Sequence, residues 1–204
     1  MEPSAHSWRA VIAEYIAREA RPIEKYGHQP RLYQLTLQIG ESLTYDDDVV
    51  YAAAWLHDLG VFVGHRPESP ELLVKWDNVR YILDRAPALL TDFGFPHEKV
   101  SAVLECIRTH QPAFEPLTVE ATILRDADIL EQLGAIGILR TVAKIGRDTR
   151  FATFTDAVAS LGRALRELPP LLRLPHSRAL AEPRTVLLAA FLHGAEEEAA
   201  GHLH

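Results

Sequence analysis

Residues 52–60 read Ala-Ala-Ala-Trp-Leu-His-Asp-Leu-Gly, a stretch that predicts the end of a buried helix. An apolar ridge begins at Val50 and continues at i+3 and i+4, and His57 extends the same ridge at i+7. Gly60 is a natural stop just beyond. The pattern therefore predicts an imidazole and a carboxylate, His57 and Asp58, next to each other at the inner end of a helix.

The carboxylate of Asp58 next to His57 raises the question of what would stabilise it inside the protein. An unpaired carboxylate costs roughly several kcal/mol to bury, so Asp58 needs a cation, a metal or a dense set of hydrogen-bond donors. Metal coordination would satisfy Asp58 and His57 at once. The ordinary alternative is a histidine at a helix C-terminus followed by a capping aspartate, and the dipeptide alone does not decide between them.

The composition limits the class of protein. The length of 204 residues fits one domain, and 48% hydrophobic and 24% charged residues are typical of soluble globular proteins. A net charge of −7 argues against a nucleic acid or an anionic membrane as the main partner. Cys106 is the only cysteine, which excludes an internal disulfide and favours a reducing compartment. Residues 1–4 do not resemble the start of a signal peptide, and no apolar run reaches spanning length, so we expect a cytoplasmic protein.

Helical periodicity dominates the chain, and no run of alternating β-branched residues predicts a strand. We therefore predict an all-α fold, a single compact bundle of about seven to nine helices. Its core covers about residues 24–140, and C-terminal helices at about residues 148–200 pack on it. Single helices are predicted over residues 71–90 and 119–139. Residues 60–70 contain glycine and proline and predict a loop, a lid or entrance over the His-Asp pair.

Three consecutive aspartates, Asp46, Asp47 and Asp48, precede the helix that ends at His57. Carboxylates are favoured at the positive end of a helix dipole. We interpret them as caps of that helix and not as metal ligands.

Three further segments supply side chains of the ligand type. His28 opens a predicted helix, with Arg31 three residues on and hence on the same face. His110 ends another helix, and Asp126 and Asp128 interrupt an apolar helix that should be buried. Two histidines and two carboxylates form a mixed nitrogen and oxygen site, which suits Mn²⁺, Fe²⁺, Co²⁺, Ni²⁺ or Mg²⁺.

The order His28, then His57-Asp58, then Asp128 resembles the H…HD…D arrangement of the HD-domain metal-dependent phosphohydrolases. The resemblance covers most of the chain and implies a single HD domain over residues 1–204.

Two longer segments carry the same resemblance. Residues 26–32, Tyr-Gly-His-Gln-Pro-Arg-Leu, are similar to the first-histidine helix of the family. Residues 126–138, DADILEQLGAIGI, resemble the DADxLxxLGAIGI block of one bacterial subgroup of small HD hydrolases.

The resemblance implies that His28, His57, Asp58 and the aspartate of the "AD-x-L" tetrad hold the metal. In this chain that aspartate is Asp128. Asp126 lies about 200° away around the helix, so both carboxylates cannot easily face one ion. The other carboxylate of the pair is expected to bond to backbone groups or to an arginine such as Arg125 or Arg140.

The chain departs from the subgroup in one region. A histidine-containing element is often found there at the start of a helix, but residues 75–79 read Lys-Trp-Asp-Asn-Val, where Asp77 is the only candidate substitute. This favours one metal ion and gives His110 a role facing the substrate or in acid–base chemistry. The alternative for His110 is a helix C-terminal histidine favoured by the dipole.

The function that follows from the resemblance is a metal-dependent phosphohydrolase acting on a small phosphorylated substrate, a nucleotide. Asp58 would orient the attacking water or accept its proton, and Arg31 and Lys75 would neutralise the phosphate. Two other functions stay open: a non-catalytic domain that binds a nucleotide or second messenger, and a dinuclear iron oxygenase.

The last predicted helix also suggests a homodimer. Its apolar residues Leu187, Leu188 and Phe191 are candidates for the dimer face.

Overall fold

A computed structural model describes residues 7–147 and 151–203 of the chain, and the secondary structure within these ranges is helical. No strand is formed there, and a lone β-bridge joins Val63 and Arg66. The all-α prediction is confirmed. The first residues, used above to argue against a signal peptide, and the predicted start of the C-terminal helices at about residue 148 lie outside the described residues. None of the described helices is long and apolar enough to cross a lipid bilayer.

Ten α-helices occur in the described residues, against the seven to nine predicted. They are α1 (Trp8–Glu19), α2 (His28–Gly40), α3 (Asp47–Leu56), α4 (Pro70–Leu73), α5 (Asn78–Asp92), α6 (Val100–Thr109), α7 (Val119–Glu131), α8 (Gly134–Val142), α9 (Phe154–Glu167) and α10 (Pro175–Ala199). Short 3-10 turns at Ile23–Lys25, Leu59–Val61, His97–Lys99 and Pro169–Leu171 complete the helical elements.

The extra helices arise because both of the long helices predicted above are interrupted. The one predicted over residues 119–139 stops at α7, since Leu133 is extended and Gly134 has a φ of 67°, in the left-handed region that favours glycine. The one predicted over residues 71–90 is divided into the single turn of α4 and the longer α5. Asp77 begins α5 by accepting a hydrogen bond from the backbone N–H of Arg80 at 2.8 Å.

The described residues form two compact units, and the second begins at Asp126. In the first unit α3 is the central helix and packs against α1, α2 and α6, while α6 also packs against α5. Every residue of α3 from Val49 to Leu56 is buried. The C-terminal end of α3, where His57 and Asp58 follow, therefore lies inside a shell of other helices.

The predicted capping of α3 is confirmed, because the Asp46 side chain accepts a hydrogen bond from the backbone N–H of Asp48 at 3.0 Å. The structure adds ion pairs that the sequence did not indicate. Arg9 of α1 lies 2.6 Å from Asp48, and Lys99 lies 2.8 Å from the same carboxylate. Hydrogen bonds from Arg9 and Lys99 hold the pKa of Asp48 below its usual range. Asp46 and Asp47 also pair with Lys99 and Arg9, so all three aspartates fasten the start of α3 to its neighbours while Asp46 caps it.

In the second unit α8, α9 and α10 pack against one another. The entry to α10 is held by the buried carboxylate of Asp126, which accepts backbone N–H bonds from Arg173 and Leu174, the two residues before that helix.

The predicted dimer face on α10 needs correction at one residue. Leu187 and Phe191 are partly exposed, but Leu188 is fully buried within the chain. Since a fully buried side chain cannot form an exposed face, Leu188 is removed from the predicted dimer residues.

Candidate metal centre

Two helix ends bring the candidate ligands together. His28 is the first residue of α2, and His57 is the residue that caps the C-terminus of α3, with its backbone N–H still bonded to the Ala53 carbonyl at 3.0 Å. Asp58 follows directly and leaves the helical conformation. Because α2 packs against α3, its N-terminus can lie next to the C-terminus of α3. The two histidines are buried and the Asp58 side chain is 22% exposed.

The three side chains converge on one point. The Nε2 atoms of His28 and His57 are 3.3 Å apart, and Oδ2 of Asp58 is 3.6 Å from the first and 3.7 Å from the second. The point equidistant from the three atoms lies about 2.0 Å from each of them, and about 2.0–2.2 Å is the bond length of histidine and carboxylate ligands to an ion such as Zn²⁺. The donor set and the distances therefore fit a first-row divalent cation. These are the members of the one group of potential ligands found among the described histidines, cysteines and carboxylates.

The tautomer of His57 is fixed by its own helix. Nδ1 of His57 lies 3.0 Å from the Ala54 carbonyl oxygen. A carbonyl oxygen can only accept, so Nδ1 carries the proton, and in the neutral ring Nε2 carries the lone pair. Nε2 is the atom that points to His28 and Asp58. The backbone of α3 thus prepares His57 as a ligand, in the way that a carbonyl commonly orients a metal-binding imidazole.

His110 lies against this group. It caps the C-terminus of α6, is buried, and its ring centroid is 5.0 Å from that of His57. Nδ1 of His110 donates to the Ile107 carbonyl at 2.6 Å. Both interpretations made above fit this position. His110 is a helix C-terminal histidine, and it is also a neighbour of His28, His57 and Asp58, the three candidate ligands that we call the metal group.

Arg31 lies close to the start of α2. Its guanidinium covers Gly27, where a Cβ would come within 2.6 Å of Arg31 Nη1. Gly27 immediately precedes His28, so the Arg31 side chain folds back toward the helix end that carries the first histidine.

For three further residues considered for the site, the structure shows the following surroundings. Lys75 is exposed. Asp77, considered above as a substitute ligand, caps α5. Asp128 belongs to the second unit, where its backbone oxygen and Oδ2 accept hydrogen bonds from Gln132 at 3.2 and 3.4 Å. Its place in the ligand set remains a prediction.

The loop at residues 60–70, predicted as a lid or entrance, is tied to α1, to α5 and to the residues between α1 and α2. The Val63 N–H donates to the Arg21 carbonyl at 3.0 Å, and Lys25 Nζ donates to the Val61 carbonyl at 2.6 Å. These bonds fasten the loop that follows Asp58 to its neighbours, and its role as a lid or an entrance stays a prediction.

His65 makes the third of these connections, and no sequence pattern indicated it. Nδ1 of His65 lies 2.8 Å from the Tyr81 hydroxyl and Nε2 lies 3.1 Å from the Glu19 carboxylate. The partners are 16 and 46 residues away in the chain. Helical or strand periodicity indicates only contacts between residues a few positions apart, so it could not predict these bonds. A carboxylate accepts, so Nε2 donates to Glu19 and Nδ1 accepts from Tyr81 in the neutral ring.

The chain is similar in sequence to a known protein family and to a bacterial protein. A family model described as the HD domain matches residues 26–133. YpgQ of Bacillus subtilis strain 168, an uncharacterised protein, is 28% identical over 183 residues, covering 85% of this chain and 83% of YpgQ.

Solved structures share the fold. The crystal structure of YpgQ in complex with ADP has a TM-score of 0.71 at 24% identity and covers 94% of each chain. A protein of Lactobacillus plantarum has a TM-score of 0.72 at 18% identity, covering 98% of this chain and 100% of its own. A predicted HD-superfamily hydrolase from an uncultured Thermotogales bacterium has a TM-score of 0.63 at 21% identity, covering 93% of this chain and 91% of its own.

Proposed function

The chain belongs to the HD domain family, and from that premise we propose that it is a metal-dependent phosphohydrolase acting on a small phosphorylated molecule, a nucleotide. The observation that carries the proposal is the triangle of His28, His57 and Asp58, whose centre is at bonding distance from two nitrogens and one oxygen. Such a ligand set suits Mn²⁺, Ni²⁺, Co²⁺, Fe²⁺ or Mg²⁺. Because the family model extends over residues 26–133 and includes parts of both units, we further propose one HD domain.

Asp128 is our proposed fourth ligand. The Asp126 carboxylate already accepts the backbone N–H groups of Arg173 and Leu174. A buried carboxylate with those partners is stabilised without a cation. Asp126 therefore has a structural role, and we assign the fourth ligand to Asp128, the aspartate of the "AD-x-L" tetrad.

In the proposed reaction the metal ion and the side chains of the protein have different roles. His28, His57 and Asp58 would hold a divalent ion, which when bound would supply Lewis-acid chemistry, lowering the pKa of a water and polarising a phosphoryl oxygen. Asp58 is the most exposed of the three ligands, so its carboxylate is the one positioned to orient the water or accept its proton. His110, beside His57, is the proposed acid–base residue: because its Nδ1–H is bonded to the Ile107 carbonyl, its Nε2 would first take up a proton and would then give it to the leaving group from the imidazolium. Arg31, which folds toward the start of α2, is proposed to bind the phosphate.

A nucleotide is supported by one comparison in particular. YpgQ resembles this chain over most of its length and its crystal structure is a complex with ADP. The two chains match at both the sequence and the fold level, so we carry the ligand class over to this protein as a proposal.

The test combines metal analysis with hydrolysis. Protein purified without chelators is assayed for bound metal, and phosphate release is measured from a nucleotide panel with Mn²⁺, Ni²⁺ or Mg²⁺. We expect about one ion per chain and loss of both metal and activity in His57→Ala and Asp58→Ala. His97→Ala is the matched control, because His97 is an exposed histidine of the same unit.

Each other outcome assigns a different function. Wild-type activity in both His57→Ala and Asp58→Ala would remove the site assignment. Tight nucleotide binding without turnover at any metal would indicate a binding domain. Iron at about two ions per chain would indicate an oxygenase.

A further inference from the structure

The first unit contains a groove of about 630 Å³, a volume within the range of roughly 300–1,000 Å³ that small-molecule pockets occupy. It is formed by the start of α5, the end of α6 and the turn after α6. Its lining includes aromatic, amide and arginine side chains, namely Trp76, Asn78, Arg80, Arg108, Gln111 and Phe114.

Both walls of the groove are connected to segments that carry residues of the candidate site. On one side, the indole N–H of Trp76 donates to the Gly60 carbonyl at 2.8 Å, and Gly60 is two residues after Asp58. Asn78 packs on the same glycine so closely that a Cβ there would lie 2.7 Å from the Asn78 carbonyl oxygen. On the other side, Gln111 directly follows His110. The groove is therefore joined through Trp76, Asn78 and Gln111 to the segments that carry Asp58 and His110.

The charges in the lining are balanced by neighbouring carboxylates. Arg108 makes a two-nitrogen contact with Glu105, with Nη2 at 2.6 Å and Nε at 3.1 Å from the same oxygen. Arg80 lies 3.9 Å from Asp84 on the same helix. The lining therefore has little net charge with which to attract a phosphate.

The aromatic and amide groups favour another kind of ligand. Phe114 is 45% exposed and Trp76 is half-buried, so each presents part of a ring to the groove. Stacking on an aromatic side chain stabilises a bound base by roughly 1–3 kcal/mol, and any base can stack because every base has a π face. The amides of Asn78 and Gln111 each offer a donor and an acceptor, which matches the edge of a heterocyclic base.

We propose that this groove binds the nucleobase of the substrate, with Phe114 and Trp76 as stacking residues. The inference rests on the proposed phosphohydrolase function and deepens it by naming the residues that select the substrate: a base held in the groove favours nucleotides over sugar phosphates and polyphosphates, which have no base. Phe114 and Trp76 are then specificity residues, while the phosphate end is handled at the metal group.

The first experiment measures binding in the absence of metal, so it does not depend on turnover. Tryptophan fluorescence is titrated with AMP and with ribose 5-phosphate in EDTA. We expect AMP to quench the Trp76 emission and ribose 5-phosphate to leave it unchanged. The Trp76→Phe variant keeps a stacking ring and loses the reporter, so AMP should no longer quench while calorimetry still detects its binding. Quenching that persists in Trp76→Phe would contradict the proposal.

A matched pair of variants tests Phe114. Leu117 lies in the same loop, is 76% exposed and is outside the lining, so Leu117→Ala is the control for Phe114→Ala. We expect Phe114→Ala to weaken AMP binding about tenfold and Leu117→Ala to leave it unchanged. Equal effects of the two substitutions, or no effect of either, would overturn the assignment of the groove.

The kinetic experiment separates this inference from the proposed function. If hydrolysis is found, Phe114→Ala should raise KM for a nucleotide about tenfold with little change in kcat, and should leave KM for inorganic tripolyphosphate unchanged. A parallel rise of KM for tripolyphosphate would contradict a base-binding role. Absence of hydrolysis from every substrate would reject the phosphohydrolase proposal, whereas the groove is judged by the metal-free titrations.

Discussion

His57 and His110 make the same local hydrogen bond: each donates Nδ1–H to the carbonyl oxygen three residues earlier, at 3.0 Å to Ala54 and 2.6 Å to Ile107. Both residues cap the C-terminus of a helix, where carbonyl groups lack the N–H partners of the next turn. The two rings therefore share one tautomer, with the lone pair on Nε2 when neutral. The ring centroids are 5.0 Å apart, so two imidazoles with the same tautomer lie next to each other at the metal group.

His57 and His110 share a tautomer but have different proposed roles, and substituting each one should separate a metal ligand from an acid–base residue. His57→Ala removes a proposed ligand, so we expect Mn²⁺ affinity to fall at least about a hundredfold, and activity with it. His110→Ala should keep the Mn²⁺ affinity and lower kcat by about 10²–10⁴, the usual contribution of an acid–base group. Calorimetric titration with Mn²⁺ and steady-state kinetics measure the two effects. Loss of Mn²⁺ binding in His110→Ala would instead make His110 a ligand.

The two aspartates of α7 should respond in opposite ways. Asp126→Asn weakens the bonds from the Arg173 and Leu174 N–H groups, since an amide presents one acceptor oxygen where a carboxylate presents two. We expect a loss of about 2 kcal/mol in the free energy of unfolding, with metal affinity unchanged. Asp128→Asn should lower metal affinity with a smaller change in stability. Urea unfolding and metal titration of both variants provide the comparison, and a reversed pattern would exchange the two assignments.

Gly60 should not tolerate a side chain. A Cβ at Gly60 would lie 2.7 Å from the Asn78 carbonyl oxygen and 3.0 Å from its Cα, and backbone atoms cannot rotate away as a side chain can. Gly60→Ala should therefore destabilise the fold by about 1–3 kcal/mol and separate the start of α5 from the metal group. Gly194→Ala is the control, because nothing lies within 4 Å of a Cβ at that helical position, and alanine is the better helix former there. Equal midpoints for the two variants in urea would contradict the close packing at Gly60.

Acid should weaken the start of α3. Arg9 and Lys99 hold the pKa of Asp48 below its value in the unfolded chain, about 3.9. A lowered folded-state pKa gives stability that is fully present above the unfolded value and is lost as the pH falls through the folded value. The stability difference between the wild type and Asp48→Asn should therefore shrink between about pH 5 and pH 2. Urea unfolding at several pH values measures it, with Asp92→Asn at the exposed end of α5 as the control. A difference that does not change with pH would show that the ion pairs do not stabilise this end of α3.

Cys106 should be inert in the folded protein. Burial, with the nearby charges of Glu120 and Glu105, raises the pKa of this thiol, and the thiolate is the reactive form. We expect Ellman's reagent to modify the native protein very slowly and to titrate one thiol per chain in urea. Rapid modification of native protein would mean that α6 opens readily.

The local parts of this molecule could be predicted from sequence because they depend on residues close together in the chain. The position of His57 followed from the apolar ridge that begins at Val50, and the capping of α3 by Asp46 followed from the preference of carboxylates for a helix N-terminus. The end of α7 before Gly134 was not predicted. Apolar residues continue at helical spacing across this point, and such spacing does not show that Gly134 has a positive φ. His65 was missed for a related reason: its partners, Glu19 and Tyr81, come from two other helices.

The sequence by itself determined the helical class, the family resemblance and the residue types of the candidate ligands, since each of these depends on composition, order and short-range periodicity. Only the tertiary structure decided that the Nε2 atoms of His28 and His57 meet within 3.3 Å of each other and that His110 stands beside them. It also decided that Asp126 holds the entry to α10. The physical reason is that helix packing fixes distances between residues far apart in the chain, and no pattern within one helix contains those distances.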